Sequence, residues 1–102
     1  MYKIKVAKQD AEKFLADVPD DRAFWCCDGR VFKNMMELAE GLEAMSDETF
    51  QYHSNDEKHD FSNWLNDVIE DEKLGRDLAR PLTRREAAKR VNDRVTLLNL
   101  KI

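Results

Sequence analysis

Apolar and polar positions alternate along this chain with two different periods. Tyr2-Lys3-Ile4-Lys5-Val6 alternates strictly, which predicts a short strand. Ala11, Phe14, Leu15 and Val18 then recur at i, i+3, i+4 and i+7, so residues 9–17 read as an amphipathic helix ended by Pro19 and Asp20-Asp21. Ala23-Phe24-Trp25-Cys26-Cys27 and Arg30-Val31-Phe32 flank Asp28-Gly29. That arrangement predicts a β-hairpin over about 23–33 with a two-residue type I′ turn, because Asp and Gly tolerate the positive φ it needs. From there the period is helical. Met35, Leu38, Ala39, Leu42 and Met45 form one stripe behind Asn34 and Glu37, close to a capping box. Ser46 starts a short helix with Asp47 and Glu48 at its positive end.

The clearest stripe is Phe61, Trp64, Leu65, Val68 and Ile69, and Ser54-x-x-Glu57 before it reads as its capping box. Asp71 is placed to cap a short helix with Leu74 and Leu78, ended by Pro81. Thr83-x-x-Glu86 opens a last helix with Ala87, Ala88, Val91, Val95 and Leu98 inside. The expected fold is mainly α within the α+β class. Five or six short helices over about 35–98 and the N-terminal segment pack with the hairpin, with the N-terminal strand as a possible third. There is no βαβ alternation and no glycine fingerprint, which excludes the usual nucleotide-binding α/β pattern.

Composition sharpens this picture. A chain of 102 residues is one domain by size, long enough to bury a core without staples. Only 3 Gly and 2 Pro leave little material for loops. Charged residues make up 37% of the chain, above the usual quarter, which predicts a densely charged exterior. No apolar run approaches the roughly 18 residues that span a bilayer, and MYKIKVAKQD lacks the apolar centre of a secretory leader. A cytoplasmic protein with reduced thiols and no membrane partner follows as the expectation. Cys26 and Cys27 are adjacent; in an extended strand their side chains would point to opposite faces, so they neither pair nor make good joint ligands.

Charge is uneven. Residues 1–75 hold 9 Lys/Arg against 18 Asp/Glu, and residues 76–102 hold 8 against 3. The acidic bulk argues against broad nucleic-acid binding. The basic segment 76–94 (Arg76, Arg80, Arg84, Arg85, Lys89, Arg90 and Arg94) is the place where such contact is possible, with Arg84, Arg85 and Lys89 as its candidates. No base-reading second helix follows this segment, so a solvated face is the simpler reading.

The segment from Phe50 to Leu65 concentrates the remaining chemistry. It holds both histidines with Asp56, Glu57 and Asp60. His53 and His59 are six apart, neither the i, i+4 spacing of a helical zinc motif nor part of a Cys-x-x-Cys knuckle, so neither a metal nor a cofactor is assigned. Catalysis would need a base beside His53 or an activated thiol, and no residue pattern supplies one, so no catalytic residue is named. Once the helix stripe is set aside, Tyr52, His53 and Asp60 are left as the candidate cluster.

Two stretches together resemble a mostly archaeal domain family of unknown function. One is Phe24-Trp25 through Asp28-Gly29-Arg30-Val31-Phe32 to Glu37-Leu38-Ala39-Glu40-Gly41-Leu42. The other is Asp47-Glu48-Thr49-Phe50-x-Tyr52-His53, then Asp60-Phe61-Ser62-Asn63-Trp64-Leu65, then Asp71-Glu72-x-Leu74. The pattern D-F-x-x-W is its most specific part. The family pattern has Asn where this chain has His59, while His53 fits it. The resemblance implies a mainly helical domain and supplies no activity or site residue. Contact with another protein, or self-association, is then the favoured role, ahead of nucleic-acid contact and of a metal or small-molecule site around His53.

Overall fold

A computed structural model describes residues 6–102. Among them are six α-helices and one two-stranded antiparallel hairpin: α1 (Lys8–Leu15), β1 (Phe24–Trp25), β2 (Val31–Phe32), α2 (Met35–Ala44), α3 (Asp47–His53), α4 (Asp60–Trp64), α5 (Glu72–Leu78) and α6 (Arg84–Asn99). A 3₁₀ turn, Asp20–Arg22, precedes β1, and a π-helical turn, Leu65–Ile69, extends α4. The mainly α reading with a small β element is therefore the observed one. The expected N-terminal strand over residues 2–6 lies outside the described residues except for Val6.

Local chemistry accounts for most helix starts. Asn34 accepts the Glu37 N–H at 2.7 Å, while Glu37 reaches back to the Lys33 N–H at 2.7 Å. Ser46 accepts from Thr49, and Asp71 accepts from Leu74. Thr83 and Glu86 form a complete capping box. In each case the side chain satisfies an N–H that the first helical turn leaves without a partner.

The box expected at Ser54 and Glu57 is not formed. Ser54 is instead the residue that closes α3, and α4 begins only at Asp60. Asn55 organises the stretch between them: its Oδ1 accepts the N–H groups of Glu57 and Lys58, and its Nδ2 donates to Gln51 O. An Asx turn therefore competes successfully with the capping box.

Phe61, Trp64, Leu65 and Ile69 of the expected stripe are buried and Val68 is half-buried against them, but the helix is not regular. Its last turn widens so that the N–H of Glu70 reaches Leu65 O, and Glu70 sits at φ 70°, the one positive φ among the described non-glycine residues. The N–H of Asp71 also reaches Leu65 O, at 3.0 Å. This ending turns the chain sharply and delivers Asp71 to the interior. There Arg94 grips it with two hydrogen bonds of 2.7 and 2.8 Å.

The buried apolar residues form one continuous cluster, with α2 packed along α6. Phe24 lies at the centre of its aromatic part. It stacks on Phe32 and Phe61 and meets Trp64 and His53 edge-on. These side chains fasten the hairpin to α3 and α4; its own two-residue β1–β2 ladder would be marginal alone.

Candidate functional site

The hairpin turn differs from expectation in a way that builds the site. The N–H of Gly29 donates to Cys26 O at 3.0 Å, and the N–H of Cys26 donates to Arg30 O at 2.8 Å. Gly29 has φ +96°, whereas Asp28 does not have positive φ. The connection is therefore a three-residue loop, a β-turn followed by a left-handed glycine, and not a type I′ turn. The Asp28 carboxylate contributes by accepting the Arg30 N–H at 3.0 Å. Placing Cys27 inside the loop takes its N–H out of the strand ladder and leaves it free for another acceptor.

That acceptor is His53. The Cys27 N–H donates to His53 Nε2 at 3.0 Å, and His53 Nδ1 lies 2.9 Å from Asp60 Oδ2. An amide N–H can only donate, so Nε2 carries the lone pair and Nδ1 carries the proton that Asp60 accepts. The ring is buried, 5% exposed, against Phe24 and Phe61. One imidazole thus links the hairpin loop, the end of α3 and the start of α4. This is not the carbonyl-capping role common for a histidine at a helix end; the ring caps nothing in its own helix.

The three residues expected to cluster are brought together unequally. His53 and Asp60 are bonded. Tyr52 is 56% exposed, with its ring edge on His53 and Lys58 Nζ 4.0 Å from its ring centroid. Lys58 also reaches Asp60 at 3.4 Å. His59 and Asp56 stand apart from His53. They line a groove of about 980 Å³ between the α3–α4 connection and the segment leading into α6, together with Phe50, Arg80, Leu82 and Arg84.

The cysteines correct a second expectation. They do not lie in an extended strand: Cys26 follows β1 and Cys27 is in the turn. Although Cys26 is buried and Cys27 exposed, their sulfurs and a ring nitrogen of His53 all lie within 4.8 Å of one another. Burial, above all, pushes the Cys26 thiol up to about 11. That is the opposite of what a nucleophile requires. Sequence spacing offers no trace of this cluster, since His53 is 26 residues from Cys27; the one available sign was the left-handed preference of Gly29, which fits a three-residue loop as well as a two-residue turn.

The basic candidates are mostly engaged. Arg84 is only 18% exposed in its side chain. It donates to Asp47 Oδ1 at 2.8 Å and to the α2 carbonyls of Leu42 and Glu43 at 2.9 and 3.1 Å. It thus closes the C-terminal end of α2 and is not part of a solvated face. Lys89 pairs with Asp93 one turn later on α6, and Arg94 is held by Asp71. Arg85 is exposed.

Exposed apolar groups are the remaining feature. Trp25 is 71% exposed, in contrast to its strand neighbour Phe24. Met36, Leu97, Leu100 and Ile102 are also exposed, whereas Met35 and Leu98 belong to the core. No helix among the described residues is long and apolar enough to cross a membrane. No family model, curated protein or solved structure matches the chain, so the resemblance centred on Asp60–Trp64 rests on its sequence pattern alone.

Proposed function

We propose that this chain is a small, non-catalytic protein-contact module that engages its partner through the outer face of the hairpin. The observation that carries this reading is Trp25, 71% exposed on β1. An indole left in water on a strand whose other face is fastened into an aromatic core is a contact residue in waiting, because Trp supplies large apolar area and one N–H at little entropic cost.

Nucleic-acid contact through residues 76–94 receives less support, because Arg84, Lys89 and Arg94 are each paired with a carboxylate of the same chain. Two free thiols close together favour a reducing compartment, in keeping with a cytoplasmic location. The family resemblance adds no activity to this reading.

The test compares the unaltered chain with Trp25→Ala in affinity capture from native cell extract and in analytical sedimentation. Loss of an exposed side chain should leave stability within about 0.5 kcal/mol. A partner, or a self-associated form, whose affinity falls about tenfold or more in Trp25→Ala supports the proposal. Capture unaffected by the substitution, or a strict monomer that retains nothing, would overturn it.

A further inference from the structure

Three side chains of ligand type meet where the hairpin loop touches α3. The sulfurs of Cys26 and Cys27 and a ring nitrogen of His53 are mutually within 4.8 Å. Nε2 is the nitrogen that faces the loop, since it accepts the Cys27 N–H. Two thiols and an imidazole are the donor set of thiophilic d¹⁰ ions.

The surroundings suit such an ion. Asp60 accepts the proton of Nδ1 at 2.9 Å, which fixes the tautomer and aims the Nε2 lone pair at the loop. A carboxylate behind a histidine in this way is the usual support of a metal-bound imidazole. The buried Cys26 and the rings of Phe24 and Phe61 wall the inner side, while exposed Cys27 leaves the outer side open to entry.

We propose that the chain binds one thiophilic d¹⁰ metal ion, Zn(II) or Cu(I), through Cys26 Sγ, Cys27 Sγ and His53 Nε2, with Asp60 as a positioning residue. Each thiol releases its proton to solvent as its sulfur–metal bond forms. Nε2 exchanges the Cys27 N–H for the metal, and no electron is transferred. Three ligands suffice for Cu(I). Zn(II) would complete a tetrahedron with water from the open side. The ligands are thus neither Asp56 nor His59, which line the groove.

The test uses the reduced, metal-free, untagged full chain. Zn(II) is titrated against a chromogenic chelator, and Cu(I) is titrated without oxygen against a chromogenic Cu(I) ligand. Co(II) loading reports sulfur ligation through its charge-transfer absorption. One equivalent of at least one ion should bind, with release of protons and a sulfur-to-cobalt band. Cys27→Ser changes an exposed side chain and should weaken binding and diminish that band by at least half while the circular dichroism stays unchanged. Asp60→Asn should weaken binding about 10- to 100-fold. Failure to outcompete either chelator, or binding undiminished in Cys27→Ser, would overturn the proposal.

Discussion

The backbone N–H of Cys27 donates to Nε2 of His53 at 3.0 Å, so the tip of the hairpin hangs from the last residue of α3. Asp60 holds the opposite side of the ring, and three segments distant in sequence share one side chain. Removal of the ring should therefore cost more than its surface area suggests. His53→Ala leaves a cavity beside Phe24 and Phe61 and strands the Cys27 N–H. It should destabilise by about 3–4 kcal/mol in urea unfolding. Asp60→Asn retains an acceptor oxygen and should cost about 1 kcal/mol.

Asp71 and Arg94 form the most buried ion pair of the described residues, with Asp71 1% exposed. Each partner alone is an uncompensated charge in the core. Asp71→Ala, which also removes the α5 cap, and Arg94→Met should each cost about 3–5 kcal/mol. The double variant should cost much less than the two losses added, as read from a double-mutant cycle of unfolding free energies. Simple additivity would show that the pair is not coupled.

Helix propensity and packing make opposite predictions at Gly41. In the middle of a helix, Ala is favoured over Gly by about 0.5–1 kcal/mol. A Cβ at Gly41, however, would lie 2.2 Å from Cζ of Phe32, a ring fixed in the core. Packing should win, and Gly41→Ala should destabilise by about 1–3 kcal/mol. At Gly75 the obstruction is the Asn66 side chain, Cγ as well as Oδ1, but this side chain is only half-buried and its Oδ1 makes no hydrogen bond that would be lost as it swings aside. Gly75→Ala should be the milder change. Comparison of the two denaturation midpoints checks the ranking.

In the metal-free protein the two thiols should behave differently. Alkylation near neutral pH should modify exposed Cys27 and spare Cys26 until the chain unfolds. Burial raises the Cys26 pKa from 9.0 to about 11, so folding favours the neutral thiol. Its contribution is fully present below the unfolded-state value and is lost as pH rises through about 11. The stability advantage of the unaltered chain over Cys26→Ala should therefore shrink by about 2 kcal/mol between those two values. An advantage constant across that range would contradict the assignment.

The periodic part of the fold was legible because it is local. Caps at Asn34, Ser46, Asp71 and Thr83 and the stripes of α2 and α6 depend on residues three or four apart, and the structure shows them as read. Ser54 and Glu57 misled because Asn55 between them offers the backbone a competing turn. The candidate site was half legible. His53 and Asp60 stand near one another in sequence, and their bond closes a short loop. Their link to Cys27, and the approach of both thiols, depend on the hairpin folding back across α3 and α4 through Phe24. The engagement of Arg84 is hidden from local pattern for the same reason: the carbonyls it closes lie some forty residues earlier, at Leu42 and Glu43.

The state of the His53 ring tests the role of this residue most directly. A long-range ¹H–¹⁵N correlation spectrum of the metal-free protein distinguishes a protonated ring nitrogen from a bare one. The expected spectrum shows a single neutral tautomer, with Nδ1 protonated, Nε2 bare and a hydrogen-bond coupling between Nε2 and the Cys27 amide. A proton on Nε2, or a ring that exchanges freely between tautomers, would contradict the role of His53 as the pin between hairpin, α3 and α4.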